Sequence, residues 1–226
     1  MSSPSPVERH PWIPYVVPFA AFIALMALER YAGVPARVFY PIRFVVVVGL
    51  LLLFSRRLIS WEPKYKIWSA LIGVAVFAIW IGPDLLFGYR GYWLFQNSLT
   101  GKAASSLAPD LQHNIPFLVL RTAGASLLVP IFEELFWRGW LMRWLINSDF
   151  RKVPIGTYQP FAFWVTAVLF ASEHGAYWEV GLVAGIVYNW WIMRTRNLAD
   201  CIWAHAVTNA ALSAYVIAAG QWQYWL

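Results

Sequence analysis

The chain has 226 residues, of which 60% are hydrophobic and only 12% charged. A soluble domain carries about 25% charged residues, so there is too little charge here to clothe a water-exposed surface. The net charge of +6 comes from positives scattered singly or in pairs, a pattern of membrane topology signals, not of a nucleic-acid surface, and the single Cys201 excludes an internal disulfide framework.

The N-terminal MSSPSPVERHPW is short and polar, with no small-residue cleavage site after a short apolar core. The first apolar segment is therefore expected to be a retained span, not a removed signal peptide. A bilayer core needs about 20 apolar helical residues. Seven segments approach this: Trp12 to Leu28, Val38 to Phe54, Ile67 to Phe87, Ile115 to Ile146, Pro160 to His174, Tyr177 to Met193 and Leu198 to Gly220. The fourth is too long for one straight span and should project beyond the bilayer or break. Between the third and fourth, Gly91 to Asn114 is polar and contains proline. It reads equally as an interfacial helix, which would make eight, or as a plain loop. The fold class is thus all-α, a polytopic membrane protein with about 7–8 transmembrane helices in one domain, 1–226. The fifteen Trp and eleven Tyr suit the membrane interfaces.

Placing the N-terminus in the cytoplasm puts Arg9, Arg56, Arg57, Lys64, Lys66, Arg143, Arg151, Lys152, Arg194 and Arg196 inside. Arg30, Arg37, Arg43, Arg90 and Lys102 are left outside. The excess favours this orientation by the positive-inside rule. Arg121 and Arg138 fall within spans, and Arg121 is expected to snorkel toward the outer headgroups.

The stretch PIFEELFWRGWL, 130–141, sets two carboxylates and an arginine in an apolar helix. A charge at the centre of a span costs roughly 2.5 to 3.5 kcal/mol on insertion scales. Glu134 and Arg138 are four apart and can pair on one face. Glu133 is turned about 100° away and needs a different partner or a wet cavity. Further along, FASEHG carries His174, and HAVTN carries His205 and Asn209 on one face of the last span. Polar groups on apolar helices are buried toward each other, so Glu133, His174, His205 and Asn209 should converge. Depth is a test. Glu133 and His205 lie about 12 and 10 Å from the cytoplasmic face, but His174 counts to about 21 Å, a tension. Glu173, beside His174, reads as a loop or interface residue.

A carboxylate and a histidine sharing one water can activate it as a nucleophile, the carboxylate taking the proton. A second histidine and an amide can donate to an oxyanion. The same Glu133, His174 and His205 could instead bind Zn²⁺ with water in the open position, although no HExxH motif is present. Taken singly, each histidine is better read as a satisfied core or helix-end residue; only the company of Glu133 reverses this.

EELFWR fits EExxxR, FASEH fits FxxxH and HAVTN fits HxxxN. In that order, on separate apolar helices, these resemble the CPBP family of intramembrane proteases, which contains the type II CAAX prenyl endopeptidases and the Abi proteins. Short length and high tryptophan content also resemble the CAAX protease-related branch found beside bacterial exosortase systems. The resemblance covers about Asn114 to Ala219, so 114–219 would be the catalytic core and 1–113 the N-terminal spans and polar connection. It implies intramembrane proteolysis in which Glu133 is the water-activating base, Glu134 the supporting carboxylate with Arg138 as its partner, and His174 a helper in activating the water. His205 and Asn209 would line the oxyanion site. Family members are often described as metalloproteases, while a glutamate mechanism is also argued; no obligatory metal is expected, because an amide suits an oxyanion better than Zn²⁺. The implied partners are a lipid bilayer and a membrane-embedded or lipid-modified protein substrate, with no nucleic acid, and the implied location is a bacterial inner membrane. The competing readings are a non-catalytic adaptor or immunity-type protein that binds a partner, and a proton-relaying transporter, for which a pseudo-repeat between the halves is lacking.

Overall fold

A computed structural model describes residues 9–59, 61–105 and 107–225. Seven long helices follow one another: α1 (Ile13–Ala32), α2 (Ala36–Ser55), α3 (Lys66–Phe87), α4 (Ile115–Trp144), α5 (Pro160–Ser172), α6 (Trp178–Thr195) and α7 (Leu198–Ala219). They coincide with the seven apolar segments to within a few residues. By length and composition, α2, α3, α4 and α7 can each cross a membrane, while α5 and the apolar part of α1, Ile13–Glu29, are shorter. The protein is a helical polytopic membrane protein.

The polar side chains that punctuate the sequence set the helix ends. Asn114, Gln159 and Asn197 accept from the backbone N–H groups of Phe117, Ala162 and Ala199 at the starts of α4, α5 and α7, supplying partners for N–H groups that have none inside the helix. At the other end, α3 and α7 stop at Gly88 and Gly220, both left-handed at φ 57° and 65°. Arg196, at φ 50°, and Asn197 are the whole turn from α6 to α7.

Between α3 and α4 the described residues contain short 3-10 turns, Tyr89–Gly91 and Pro109–His113, and no interfacial α-helix. The loop reading is the right one, for a local reason. The Asn97 side chain accepts from the N–H groups of Leu99 and Thr100, which offers that backbone an alternative to helix.

The fourth segment neither breaks nor stops short. It is one helix of 30 residues, about 45 Å long, with two widened π-type turns at Gly124–Leu128 and Leu135–Leu141. Such turns loosen the ladder of hydrogen bonds and are frequent at functional sites.

Successive helices alternate in direction, and side chains tie their ends together. At one end, the Ser55 hydroxyl donates to the Pro14 carbonyl at 2.5 Å. Nearby, Asp200 of α7 accepts from Lys64 N, Tyr65 N and Ser69 Oγ at 3.1, 2.8 and 2.9 Å. At the other end, buried Arg90 pairs with Asp84 at 3.2 Å and Glu179 at 2.9 Å. There Tyr89 donates to Glu179; burial first, then that bond, raises its phenol to about 12, so it stays a donor at neutral pH. Arg43 is likewise buried and pairs with Glu29 at 2.9 Å. Arg43 and Arg90 are therefore interior ion-pair partners and not topology signals, because each has an acid within reach that the linear count could not see. The side chain of Arg30 lies outside the described residues.

α3 packs tightly on α7. Gly73 makes it possible: a Cβ there would stand 2.8 Å from Val207 Cβ. Thr208 of α7 donates to the Gly73 carbonyl at 2.8 Å, a small-residue crossing sealed by a hydrogen bond.

Candidate active site

Glu134 and Arg138 lie one turn apart on α4, and both side chains are fully buried, with Nη1 to Oε1 at 3.1 Å. The rest of the guanidinium is satisfied across helices. Nε donates to Asn189 Oδ1 at 2.9 Å and Nη2 to the Gly185 carbonyl at 3.2 Å, both on α6. Asn189 in turn donates to the Phe163 carbonyl of α5 at 2.8 Å. The ring of Phe170 lies 4.6 Å from the guanidinium carbon. Arg138 therefore ties α4 to α6 and, through Asn189, to α5, and a planar cation with donors pointing three ways does this where lysine could not.

The same Glu134 Oε1 reaches a third helix, standing 3.0 Å from His205 Nδ1 of α7. A carboxylate paired with arginine is an acceptor only, so Nδ1 carries the proton. The imidazole is also stacked on Tyr188, centroids 5.1 Å apart at 25°, and the Tyr188 hydroxyl donates to Thr208 at 2.7 Å. His174 stands just past the end of α5 with Nδ1 donating to the Phe170 carbonyl at 2.8 Å. In both rings Nδ1 is committed to a protein acceptor and Nε2 is the nitrogen left for chemistry.

Glu133, His174, His205 and Asn209 all line one cavity of about 220 Å³. Glu133 Oε2 is buried there without a protein partner. Asn209 donates through Nδ2 to the Ala125 carbonyl at 2.8 Å, which lies in the first widened turn of α4; the amide keeps one N–H free of that bond. The four residues expected to converge share a wall. The offset counted for His174 is bridged by Phe170, one turn away: its ring lies 4.8 Å from that of His174 and 6.1 Å from that of His205.

Other placements differ from the sequence reading. Arg121 does not snorkel outward; it lines the cavity, 5.7 Å from the Tyr40 ring and 5.1 Å from the Trp225 ring. Aromatic faces hold it inward. Among the described residues no group of three His, Cys, Asp or Glu side chains stands close enough to hold a metal ion, so Glu133, His174 and His205 do not form a ready-made zinc site. Asn189 was missed, although a lone amide in the apolar run GIVYNWW carries the same desolvation argument that singled out Glu133. Trp80, Tyr40 and Arg43 on the cavity wall carry no signal in the linear sequence; only packing brings them there.

Residues 115–211 match the family model described as type II CAAX prenyl endopeptidase, Rce1-like. Over that segment, which is less than half of the 226 residues, the chain is similar to this endopeptidase family. No curated protein and no solved structure matches the chain. The matched segment runs from the start of α4 into α7 and contains every residue of the three motifs. It omits the first three helices, yet α1, α2 and α3 contribute Phe22, Tyr40, Arg43 and Trp80 to the cavity. The cavity is thus completed by walls from outside the matched segment.

Proposed function

We propose that this protein is an intramembrane endopeptidase of the CAAX type, hydrolysing a peptide bond in a membrane-anchored or lipid-modified protein. The observation that carries this is Glu133: a carboxylate with a buried, unpartnered oxygen, in one cavity with two imidazoles whose Nδ1 atoms are already committed.

Water enters between Glu133 and His174 Nε2. The Glu133 carboxylate takes one proton while the oxygen adds to the scissile carbonyl carbon. The carbonyl π pair moves onto oxygen, where the second N–H of Asn209 stabilises it. When the C–N bond breaks, the proton held by Glu133 passes to the leaving nitrogen, and carboxylate and water balance. His205 acts as an oxyanion donor only as the imidazolium, because in the neutral ring its one proton is spent on Glu134. Glu134 and Arg138 position His205 without touching the reacting atoms. The apolar lining and lipid surroundings fit a substrate already held in the bilayer, with 114–219 as catalytic core and the N-terminus on the cytoplasmic side.

The test is cleavage of a farnesylated CAAX peptide, carrying a fluorophore and quencher across the scissile bond, by purified protein in liposomes. Glu133→Gln should lower the rate by at least 1000-fold with insertion and thermal stability kept, and a strong chelator should leave the wild-type rate unchanged. Cleavage by Glu133→Gln at the wild-type rate would sink the reading; a chelator that abolishes activity would replace the glutamate mechanism with a metal-dependent one.

A further inference from the structure

The oxyanion site described above is short of donors. Neutral His205 has none to offer from Nε2, and Asn209 has already given one N–H to Ala125. A second donor must come from elsewhere on the wall.

Trp80 of α3 lines the same cavity. Its indole meets His174 edge to face, centroids 5.2 Å apart at 68°, and stacks on Tyr177 at 6.3 Å and 18°. Those two contacts fix the ring. Its Nε1, however, is buried with no acceptor in the protein; the indoles of Trp137 and Trp140 share that condition, but of the three only Trp80 lines the cavity. A buried indole N–H almost always finds a partner, and an orphaned one beside the water-activating imidazole calls for an acceptor that arrives with the substrate. Indole is donor-only, so that acceptor must be an oxygen or similar lone pair, and a peptide carbonyl qualifies. Ser213 Oγ and Arg43 Nε are further orphans on this wall, but Ser213 lies one turn beyond Asn209 on α7, the Arg43 guanidinium is paired with Glu29, and of the three it is Trp80 whose ring meets His174.

We infer that Trp80 is a substrate-contacting catalytic residue, whose indole N–H donates to the carbonyl oxygen of the scissile bond and strengthens as that oxygen becomes an oxyanion. The assignment rests on the proposed proteolysis. It lies outside the family segment 115–211, so the first half of the chain supplies part of the catalytic machinery.

The experiment uses the full chain in liposomes and the same farnesylated reporter. Trp80→Phe keeps a ring against His174 and Tyr177 but removes the N–H. It should lower kcat by about 100-fold, the scale of losing one oxyanion donor, with KM within about twofold and the unfolding midpoint unchanged. Replacing Trp80 by benzothienylalanine, which keeps the bicyclic shape and exchanges N–H for sulfur, should give the same loss. A rate within twofold of wild type in either variant overturns the inference, the benzothienyl case by showing that ring packing alone matters. Glu133→Gln in the same preparation separates the two levels: if it is dead while Trp80→Phe is unimpaired, only the indole assignment fails; if Glu133→Gln cleaves normally, the proteolytic reading fails first.

Discussion

Glu134 accepts from Arg138 and His205 through a single oxygen, and this decides what the adjacent pair of glutamates can do. Both keep an unpartnered Oε2, but Glu134 is locked through Oε1 into a network spanning four helices, whereas Glu133 alone of the two lines the cavity. Removing the cation should therefore be far more costly than removing the pair. Arg138→Met strands a buried carboxylate and leaves the acceptors on Asn189 and Gly185 without their donor; it should cost about 3 to 5 kcal/mol, read as a large drop in the thermal unfolding midpoint of purified protein. Adding Glu134→Gln to Arg138→Met should recover part of that stability, since no buried charge is then left alone. If the double variant is no more stable than the single, the ion pair is not what holds α4 to α5 and α6. The sequence made the pair legible through i, i+4 spacing. It could not show that His205 joins it, since 71 residues separate them.

Among the elements, α3 and α7 are the pair on which the site depends, because one carries Trp80 and the other His205 and Asn209. Two features fix their register. Asp200 at the start of α7 accepts from two backbone N–H groups and one hydroxyl at the start of α3, so a charged side chain of one helix caps another. Hydrogen bonds to charged groups contribute about 1.5 to 3 kcal/mol each; Asp200→Ala should lose on the order of 3 kcal/mol, measured by thermal unfolding, and Asp200→Asn distinctly less. An Asp200→Ala stability equal to wild type would remove this cap from the account. At mid-helix, Gly73→Ala must push α7 away, since the added carbon meets backbone and Val207. Overpacking of this kind costs about 1 to 3 kcal/mol, and cleavage should fall along with stability because His205 moves with α7. Cleavage unchanged in Gly73→Ala would mean that the register of these helices is not critical. The widened turns of α4 act at the same scale. Arg121, Ala125, Val129 and Glu133 line the cavity at four-residue intervals. In a regular helix each such step drifts about 40° around the axis, and a wider turn reduces that drift, keeping the stripe on one face over about 18 Å.

At the scale of the molecule, the cavity runs from Glu133 toward the end of α4 that begins at Ile115, where Tyr224 and Trp225 also line it. Leaving the buried Arg43 and Arg90 out of the positive count sharpens the asymmetry on which the proposed cytoplasmic placement of the N-terminus rests. The buried Cys201 permits a direct check. A cysteine introduced at Arg57, which is exposed, should react with an impermeant maleimide only from the cytoplasmic side, and one at exposed Lys102 only from the opposite side; the reverse pattern would invert the topology. With that orientation the long axis of the cavity points away from the cytoplasm.

What the sequence settles by itself is whatever depends on composition and short spacing. The scarcity of charge dictates a membrane protein, the apolar runs place seven helices, and i, i+4 pairs reveal Glu134 with Arg138 and His205 with Asn209. Convergence of polar groups is also legible, because lipid offers them no other partner. Tertiary structure alone decided which ring nitrogen each histidine presents, that Arg43, Arg90 and Arg121 turn inward, that 91–114 forms no interfacial α-helix among its described residues, and that Trp80 stands against His174. Each of these is set by an acceptor, acid or aromatic face from a distant helix, and helix packing distances are not written in local periodicity.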